Sequence, residues 1–177
     1  MKKMKRLVAV LLAGIMALAL LTACGGGGSA MPTDDVKKAE ALYMDIYNAV
    51  LNANYENDAE LKAKAKQVLD DSLNADGTLK SGKEITVTLP SDNLFASTAI
   101  TILVQPGSKA IPYGMTSEQL TTTYNNRQEA LAEVRKNVGT SADTLKKSIT
   151  HLAVGAVKKG DKTYIAVAMK MDISKLL

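Results

Sequence analysis

The sequence predicts a single α+β domain in which helices pack on a largely antiparallel sheet. Apolar residues recur at helical spacing in several stretches and alternate with polar residues in others, and the two kinds of stretch interleave along the chain. Residues 34–177 contain no internal repeat and no second linker, and they are numerous enough to bury one hydrophobic core. They are therefore predicted to form one domain.

Two helices are predicted at the start of this domain. Thr33 is expected to cap the first, with Asp34 and Asp35 beside its positive end, and Asp58 is expected to begin the second. The predicted buried stripes are Val36, Ala39, Tyr43, Ile46, Tyr47 and Val50 in the first helix, and Leu61, Ala65, Val68 and Leu69 in the second. Three lysines of the second helix are expected to extend into water: Lys62, Lys64 and Lys66.

Strands and helices continue to alternate after this helical pair. Strands are predicted over residues 84–89 and 97–104, the second with Ile100, Ile102 and Val104 on one face. A long helix is expected from Thr116, where Gln119 completes a capping box, to Gly139. Its predicted apolar face comprises Leu120, Tyr124, Leu131, Val134 and Val138. A short helix over residues 141–148 and a hairpin of strands 150–157 and 163–171, joined by residues 158–162, close the domain.

Residues 1–23 have the organisation of an export signal. A basic start of three lysines and one arginine precedes an uncharged apolar run over residues 7–21, which is shorter than the roughly 20 residues of a membrane-spanning helix. Leu21-Thr22-Ala23-Cys24 then resembles a bacterial lipobox, in which cleavage falls between Ala23 and Cys24 and a diacylglyceryl group joins the Cys24 sulfur. The alternative is an ordinary secretory signal. Such a signal ends in an A-x-A-like cleavage site, and residues 21–23 do not fit that pattern.

Lipidation would give the chain's single cysteine a purely anchoring role. A thioether sulfur cannot act as a nucleophile, a metal ligand or a disulfide partner, so the membrane becomes the partner of Cys24. Residues 24–33 comprise the lipidated cysteine and a glycine-rich segment, and the part from Gly25 to Thr33 is predicted to be a flexible tether that reaches about 15–18 Å. The expected location is the extracytoplasmic face of the cell membrane.

The basic charge of the full chain belongs to the predicted signal. The chain has 22 basic and 18 acidic side chains, and four of the basic ones precede Cys24. The remaining chain therefore has 18 of each sign and no net charge. A nucleic-acid partner, which needs a basic surface, is not expected.

Motifs for common catalytic and cofactor chemistry are absent from the sequence. It contains one histidine and no H-E-x-x-H, C-x-x-C, G-x-S-x-G or S-x-x-K, so neither a cofactor nor a metal is expected. Residues 77–83 match the start of a phosphate-binding loop, but Glu84 stands in the Ser or Thr position. Residues 72–77 are similar to the start of a calcium-binding loop, but Lys83 stands where a bidentate glutamate should be, so a plain Asp-Gly turn is favoured.

His151 and Tyr113 are the candidate ligand-binding residues of the domain. His151 follows Ser148 by three residues, but a Ser-His pair needs a third group to orient the imidazole, and only sequence-distant carboxylates such as Asp92 or Glu118 offer one. Tyr113 lies between Pro112 and Gly114 and is expected to line a loop surface. No residue is assigned a catalytic role.

Two stretches resemble the CAP superfamily, also called the SCP or cysteine-rich secretory protein domain. "ITHLAVGAVKKGDKTYIAVAMKM", residues 149–171, is similar to its closing hairpin, and "IYNAVLNANYENDAELKAKAKQVL", residues 46–69, is similar to its opening helices, with Asn48 in the place of a frequent asparagine. The resemblance implies an α-β-α sandwich with a broad cleft, a secreted or cell-surface location and binding of sterols, lipids or proteins. The family's cleft usually has two histidines and two acidic residues. This chain has only His151, so the metal function is not implied.

These observations favour a lipid-anchored extracellular lipoprotein of the bacterial cell envelope that acts as a non-catalytic binding module. Its partner would be an envelope protein or a small ligand. The alternative is an envelope hydrolase with a site around His151, and a structural accessory of an envelope complex is a third hypothesis.

Overall fold

The computed structural model describes residues 34–83, 85–88, 98–104, 113–128, 131–132 and 141–176. Their helices and strands are α1 (Asp35–Val50), α2 (Ala59–Ser72), β1 (Ile85–Thr88), β2 (Thr98–Val104), α3 (Ser117–Asn125), α4 (Ser141–Ser148), β3 (Ile149–Lys159) and β4 (Lys162–Asp172), followed by a 3-10 helix at Ile173–Leu176. They form one domain of mixed helix and sheet, so the predicted α+β class is confirmed.

The four strands form one antiparallel sheet in the order β1-β2-β4-β3. The closing hairpin is confirmed, but its connection is shorter than predicted because Lys159 pairs with Lys162 and leaves only Gly160 and Asp161 in the turn. Gly160 has a φ of +60°, which is tolerated by glycine at the first central position of a two-residue turn. The strands predicted over residues 84–89 and 97–104 correspond to β1 and β2, and residues 84, 89 and 97 of those ranges lie outside the described residues.

Helices cover both faces of this sheet. The face against α2 buries six sheet residues: Ile102, Val104, Ala153, Tyr164, Ala166 and Ala168. The face against α1, α3 and α4 buries nine: Leu103, Ile149, Leu152, Val154, Ala156, Ile165, Val167, Met169 and Met171. In β4 and in β3 from Leu152 onward, buried residues alternate between the two faces, as a pleated strand requires. The register shift between Ile149 and His151 interrupts this alternation at the start of β3. The predicted α-β-α layering is therefore present, and the predicted shared face of Ile100, Ile102 and Val104 lies against α2.

Helix α1 begins one residue later than the predicted cap implies. Asp34 occupies the capping position, with an extended backbone, and its side chain accepts a hydrogen bond of 2.9 Å from the backbone N–H of Lys37. Thr33, the predicted cap, lies outside the described residues. Five of the six predicted core positions of α1 are buried and Val36 is half-buried, and Leu42 and Met44 are buried in addition. The helix is thus covered on a wider face than the predicted stripe.

Helix α2 begins as predicted and lies unusually close to the sheet. The Asp58 carboxylate caps it by accepting from the backbone N–H of Leu61 at 2.9 Å. A Cβ placed on Gly155 of β3 would lie only 2.9 Å from the Lys62 carbonyl oxygen and 2.9 Å from the Lys66 backbone nitrogen. The glycine therefore permits a backbone approach that any side chain would prevent. Of the predicted stripe, Leu61, Ala65 and Leu69 are buried and Val68 is half-buried.

Helix α3 is shorter than predicted. It starts with the expected capping box of Thr116 and Gln119, but it ends at Asn125 instead of continuing without interruption to Gly139. Residues 127–128 and 131–132 are helical again, with Leu131 buried, and residues 133–140 lie outside the described residues. The sequence "TTTYNN", residues 121–126, consists of weak helix formers, and this local preference outweighs the apolar periodicity that predicted a continuous helix.

The outer edge of β3 is covered by side chains from α1 and from the chain after it. Glu40 Oε1 accepts from the Ala156 N–H at 3.3 Å, and Asn57 both accepts from the Val154 N–H at 3.0 Å and donates to the Val154 carbonyl at 3.1 Å. An uncovered edge strand is a template for pairing with another chain, so these contacts protect the sheet. Lys62 and Lys66, predicted to extend into water, remain partly exposed, and in addition their ammonium groups lie 3.7 and 3.3 Å from the Glu40 carboxylate.

Candidate functional site

The candidate residues lie at two opposite ends of the sheet. One end, called the hairpin end, contains the β3–β4 turn and the first turns of α1 and α3, since Asp35 contacts Lys158 at 3.0 Å and also hydrogen-bonds Ser117. The other end, called the strap end, contains the start of β3 and residues 52–57. These residues connect α1 to α2 and are called the strap. His151 lies at the strap end and Tyr113 at the hairpin end.

His151 is exposed on β3, opposite Lys170 of β4. Its Nδ1 atom lies 3.2 Å from the Thr150 hydroxyl. Ser148 is fully buried, and its hydroxyl donates to the Leu145 carbonyl at 2.9 Å. A buried hydroxyl engaged with the backbone is not positioned as a nucleophile for an exposed imidazole. The structure thus does not bring Ser148 and His151 together as a Ser-His pair.

The two carboxylates named as partners for His151 do not support that pair either. Glu118 follows Ser117, which hydrogen-bonds Asp35 at the hairpin end, whereas His151 is at the strap end. Asp92 lies outside the described residues. Of the two predicted partners, Glu118 therefore does not lie beside the His151 imidazole, and the position of Asp92 is not described.

Tyr113 packs against Tyr164 at the hairpin end. The two ring centroids are 5.0 Å apart and the ring planes are inclined by 67°, which is an edge-to-face contact. The Tyr164 ring also lies against Gly77 and Gly114, whose φ angles are +81° and +68°, and a Cβ on either glycine would overlap it. Burial, followed by the charges of Asp161 and Asp76, raises the pKa of the Tyr164 hydroxyl. Tyr113 therefore belongs to a packed aromatic cluster.

His151 and Tyr113 do not form one site. Tyr164, which contacts Tyr113, pairs with Val157, and six residue steps along β3 separate that position from His151. At about 3.3 Å for each step, the two positions are roughly 20 Å apart. A small ligand could contact one of these residues but not both.

Residues 72–83 form a turn whose polar groups satisfy each other. The Asp76 carboxylate accepts from the backbone N–H and the hydroxyl of Thr78, at 2.9 and 2.6 Å, and the Ser72 hydroxyl donates to the Val68 carbonyl. Leu73 and Leu79 pair across this turn, and strand β1 follows it where a phosphate-binding loop would have a helix. The prediction of a plain Asp-Gly turn is thus confirmed. Within the described residues, no group of three or more His, Cys, Asp or Glu side chains could hold a metal ion.

The strap is held by a set of hydrogen bonds that the sequence analysis did not predict. Asn48 accepts from the Tyr55 N–H at 2.6 Å and donates to the Tyr55 carbonyl at 2.9 Å, and the Tyr55 hydroxyl donates to the Ile149 carbonyl at 3.1 Å. Lys146 of α4 donates to the carbonyl of Asn52, whose φ is +46°. The one sequence signal for Asn57 was its position just before the capping Asp58. These bonds place the strap beside His151 as a defined surface.

Cys24 and Ala23, the predicted lipidation and cleavage residues, lie outside the described residues. Among the helices that the structure describes, none combines the length and the apolar character needed to cross a bilayer.

Comparison of the chain with family models, with curated proteins and with solved structures gave no match. The class that the fold and the two ends define is a three-layer α+β domain with separate surfaces at opposite ends of one sheet.

Proposed function

We propose that the chain is a lipoprotein of the bacterial cell envelope, anchored through Cys24 on the extracytoplasmic side of the membrane, and that its domain is a non-catalytic binding module. The observation that carries the anchoring is the order of features before Cys24: a basic start, an apolar run and the lipobox-like Leu21-Thr22-Ala23-Cys24. The order also supports removal of residues 1–23. The first described helix begins at Asp35, which leaves residues 24–33 to join the lipid to the domain.

The binding role is supported by the surface at the strap end. His151 is exposed there, and the neighbouring strap presents the exposed side chains of Asn54 and Glu56 on a backbone held by Asn48 and Asn57. A surface that is already rigid loses little conformational entropy when a partner binds. The buried Ser148 hydroxyl weakens the alternative of a hydrolase around His151.

We keep the resemblance to the CAP superfamily as a proposal about architecture. Helices on both faces of an antiparallel sheet agree with the layering that the resemblance implies. Asn48, which stands in the place of the family's frequent asparagine, binds both backbone polar groups of Tyr55 and so has a structural role in this chain. Binding of a lipid, sterol or protein is the function class that this proposal would add.

The anchoring is tested by comparing the full chain with Cys24→Ser in a bacterial host that processes lipoproteins. We expect the unaltered chain in the membrane fraction, with an N-terminal peptide that starts at Cys24 and carries the mass of a diacylglyceryl group. We expect Cys24→Ser to lack that mass and to leave the membrane fraction. An N-terminus at another residue, or a cysteine without lipid, would refute the anchoring.

The binding role is tested by recovering the anchored protein with its envelope partners after crosslinking. We expect His151→Ala and Glu56→Lys, both at exposed positions, to reduce partner recovery without changing stability, while Lys162→Glu at the hairpin end leaves recovery unchanged. Turnover of an envelope substrate that disappears in His151→Ala would instead favour the hydrolase.

A further inference from the structure

The start of the folded domain lies at the hairpin end. Asp35, the first residue of α1, binds Lys158 at 3.0 Å, only one residue before the end of β3. The same end includes the paired backbones of Met115 and Thr163, which exchange hydrogen bonds of 2.9 and 2.8 Å. A chain that enters the domain at Asp34 therefore enters beside the β3–β4 turn and away from the strap.

The strap end is distant from this entry point on two independent measures. Helix α1 has 16 residues and runs from the entry point to the strap, a length of about 24 Å at 1.5 Å for each residue. Along β3, seven residue steps separate Lys158 from His151, again about 23 Å. Both estimates thus place the hairpin end and the strap end roughly 20–25 Å apart.

The ten residues from Cys24 to Thr33 set how far the entry point can lie from the lipid. A glycine-rich chain of this length has a root-mean-square reach of about 16–19 Å, and its fully extended length is about 33–36 Å. For the strap end to touch the bilayer, the tether would have to pass back along the domain and exceed its average reach. The shortness of the tether therefore favours contact at the hairpin end.

We propose that the hairpin end of the domain faces the bilayer and that the strap end, with His151, points away from it. This inference rests on the proposed lipid anchor at Cys24. It assigns the Tyr113–Tyr164 cluster to the membrane-facing side and leaves the strap and His151 as the surface that an envelope partner reaches.

The exposed charges at the hairpin end are of both signs. Lys37 and Lys162 are exposed there, as are Asp34 and Asp161, and the Lys158 ammonium is paired with Asp35. A mixed surface of this kind has no strong attraction to anionic lipid headgroups. The tether, and not the surface charge, therefore sets the orientation, and the orientation should be the same on zwitterionic and anionic bilayers.

The experiment uses the lipidated protein in vesicles and exploits the chain's single native cysteine. Because a lipidated Cys24 has no free thiol, one introduced cysteine can be labelled alone. Four exposed positions serve: Asp161→Cys and Lys162→Cys at the hairpin end, and Asn54→Cys and His151→Cys at the strap end. A fluorophore at each position is read against a quencher attached to lipid headgroups, in phosphatidylcholine vesicles with and without phosphatidylglycerol.

We expect quenching at both hairpin positions to exceed that at both strap positions by several-fold in both kinds of vesicle. Equal quenching at the two ends, or stronger quenching at the strap, overturns the orientation. An orientation that appears only with phosphatidylglycerol overturns the tether as its cause. Mass spectrometry of the same samples separates these results from a failure of the proposed function, since protein without lipid on Cys24 overturns both proposals.

Discussion

At the scale of single residues, polar side chains in this domain take over hydrogen bonds that a further strand would otherwise make. Asn57 binds the N–H and the carbonyl of Val154 at the edge of β3, and Asn48 binds the N–H and the carbonyl of Tyr55 in the strap. The amide side chain has one acceptor and one donor group, so it matches the two polar groups of a peptide backbone. The pairing of Asn57 with Val154 was not predictable from the sequence, because the two residues are 97 positions apart.

Asp35 gives the domain a pH-dependent contact at the hairpin end. Hydrogen bonds from Ser117 and Lys158 hold the pKa of its carboxyl below the ordinary value. A carboxyl with a lowered pKa in the folded state stabilises the fold above its unfolded pKa, near 3.9, and this contribution is lost as the pH falls through the folded pKa.

We therefore expect Asp35→Asn to lower the free energy of unfolding by about 1–3 kcal/mol at pH 7, the usual value of hydrogen bonds to a charged group. The difference from the unaltered domain should shrink below about pH 4, where the unfolded carboxyl takes up a proton, and should vanish below the lowered pKa of the folded carboxyl. Urea unfolding of residues 30–177 between pH 2 and pH 7 measures both effects. Lys158→Met, which removes one of the two partners, should lose part of the same stability, and a difference that does not depend on pH would contradict this account.

At the scale of elements, the closeness of α2 to the sheet depends on small residues where they meet. Gly155 and the alanines at positions 153, 166 and 168 face this helix, and the helix contributes Ala65 from its own buried face. The helical spacing of Leu61, Ala65 and Leu69 predicted which side of α2 is buried. It did not predict what the helix packs against, because the facing residues come from strands almost 100 positions later in the chain.

Gly155→Ala tests this packing. The added methyl group would lie within 2.9 Å of backbone atoms of Lys62 and Lys66, so α2 must move away from β3. We expect the free energy of unfolding to fall by about 1–3 kcal/mol, as for other overpacked cores.

The matched control is Gly160→Ala, where the added methyl group meets open space and only the positive φ of +60° opposes it. This control should cost about 1–2 kcal/mol and should leave the contacts of α2 unchanged. Chemical denaturation measures both variants, and amide exchange in α2 distinguishes them. Unchanged exchange in α2 of Gly155→Ala would show that the helix does not depend on this glycine.

At the scale of the whole molecule, Glu40 joins the two helical layers around the edge of the sheet. It belongs to α1 on one face, yet its carboxylate binds the edge N–H of Ala156 and contacts Lys62 and Lys66 of α2 on the other face. Its side chain is only 10% exposed, whereas the two lysines are 36% and 41% exposed. The contact closes the edge of β3 while the lysines remain partly in water.

We expect Glu40→Ala to lower the free energy of unfolding by about 1–3 kcal/mol, because the Ala156 N–H loses its partner. We also expect it to increase self-association, since the freed edge of β3 can pair with another copy. Glu40→Gln keeps an acceptor for that N–H and loses only the charge, so it should remain closer to the unaltered domain in both properties. Sedimentation velocity over a range of concentrations measures the association, and equal sedimentation of all three proteins would rule out this role for Glu40.

The sequence by itself determined the type of most elements, the caps at Asp58 and Thr116, and the buried sides of α1 and α2, whereas the signal before Cys24 stays a prediction. These features are local, because capping and periodicity are expressed within a few neighbouring residues. Only the tertiary structure decided the strand order with β4 inside the sheet, the meeting of Glu40 with Ala156, and the separation of His151 from Tyr113. Those arrangements depend on contacts between residues far apart in the chain, whose energies no local pattern expresses.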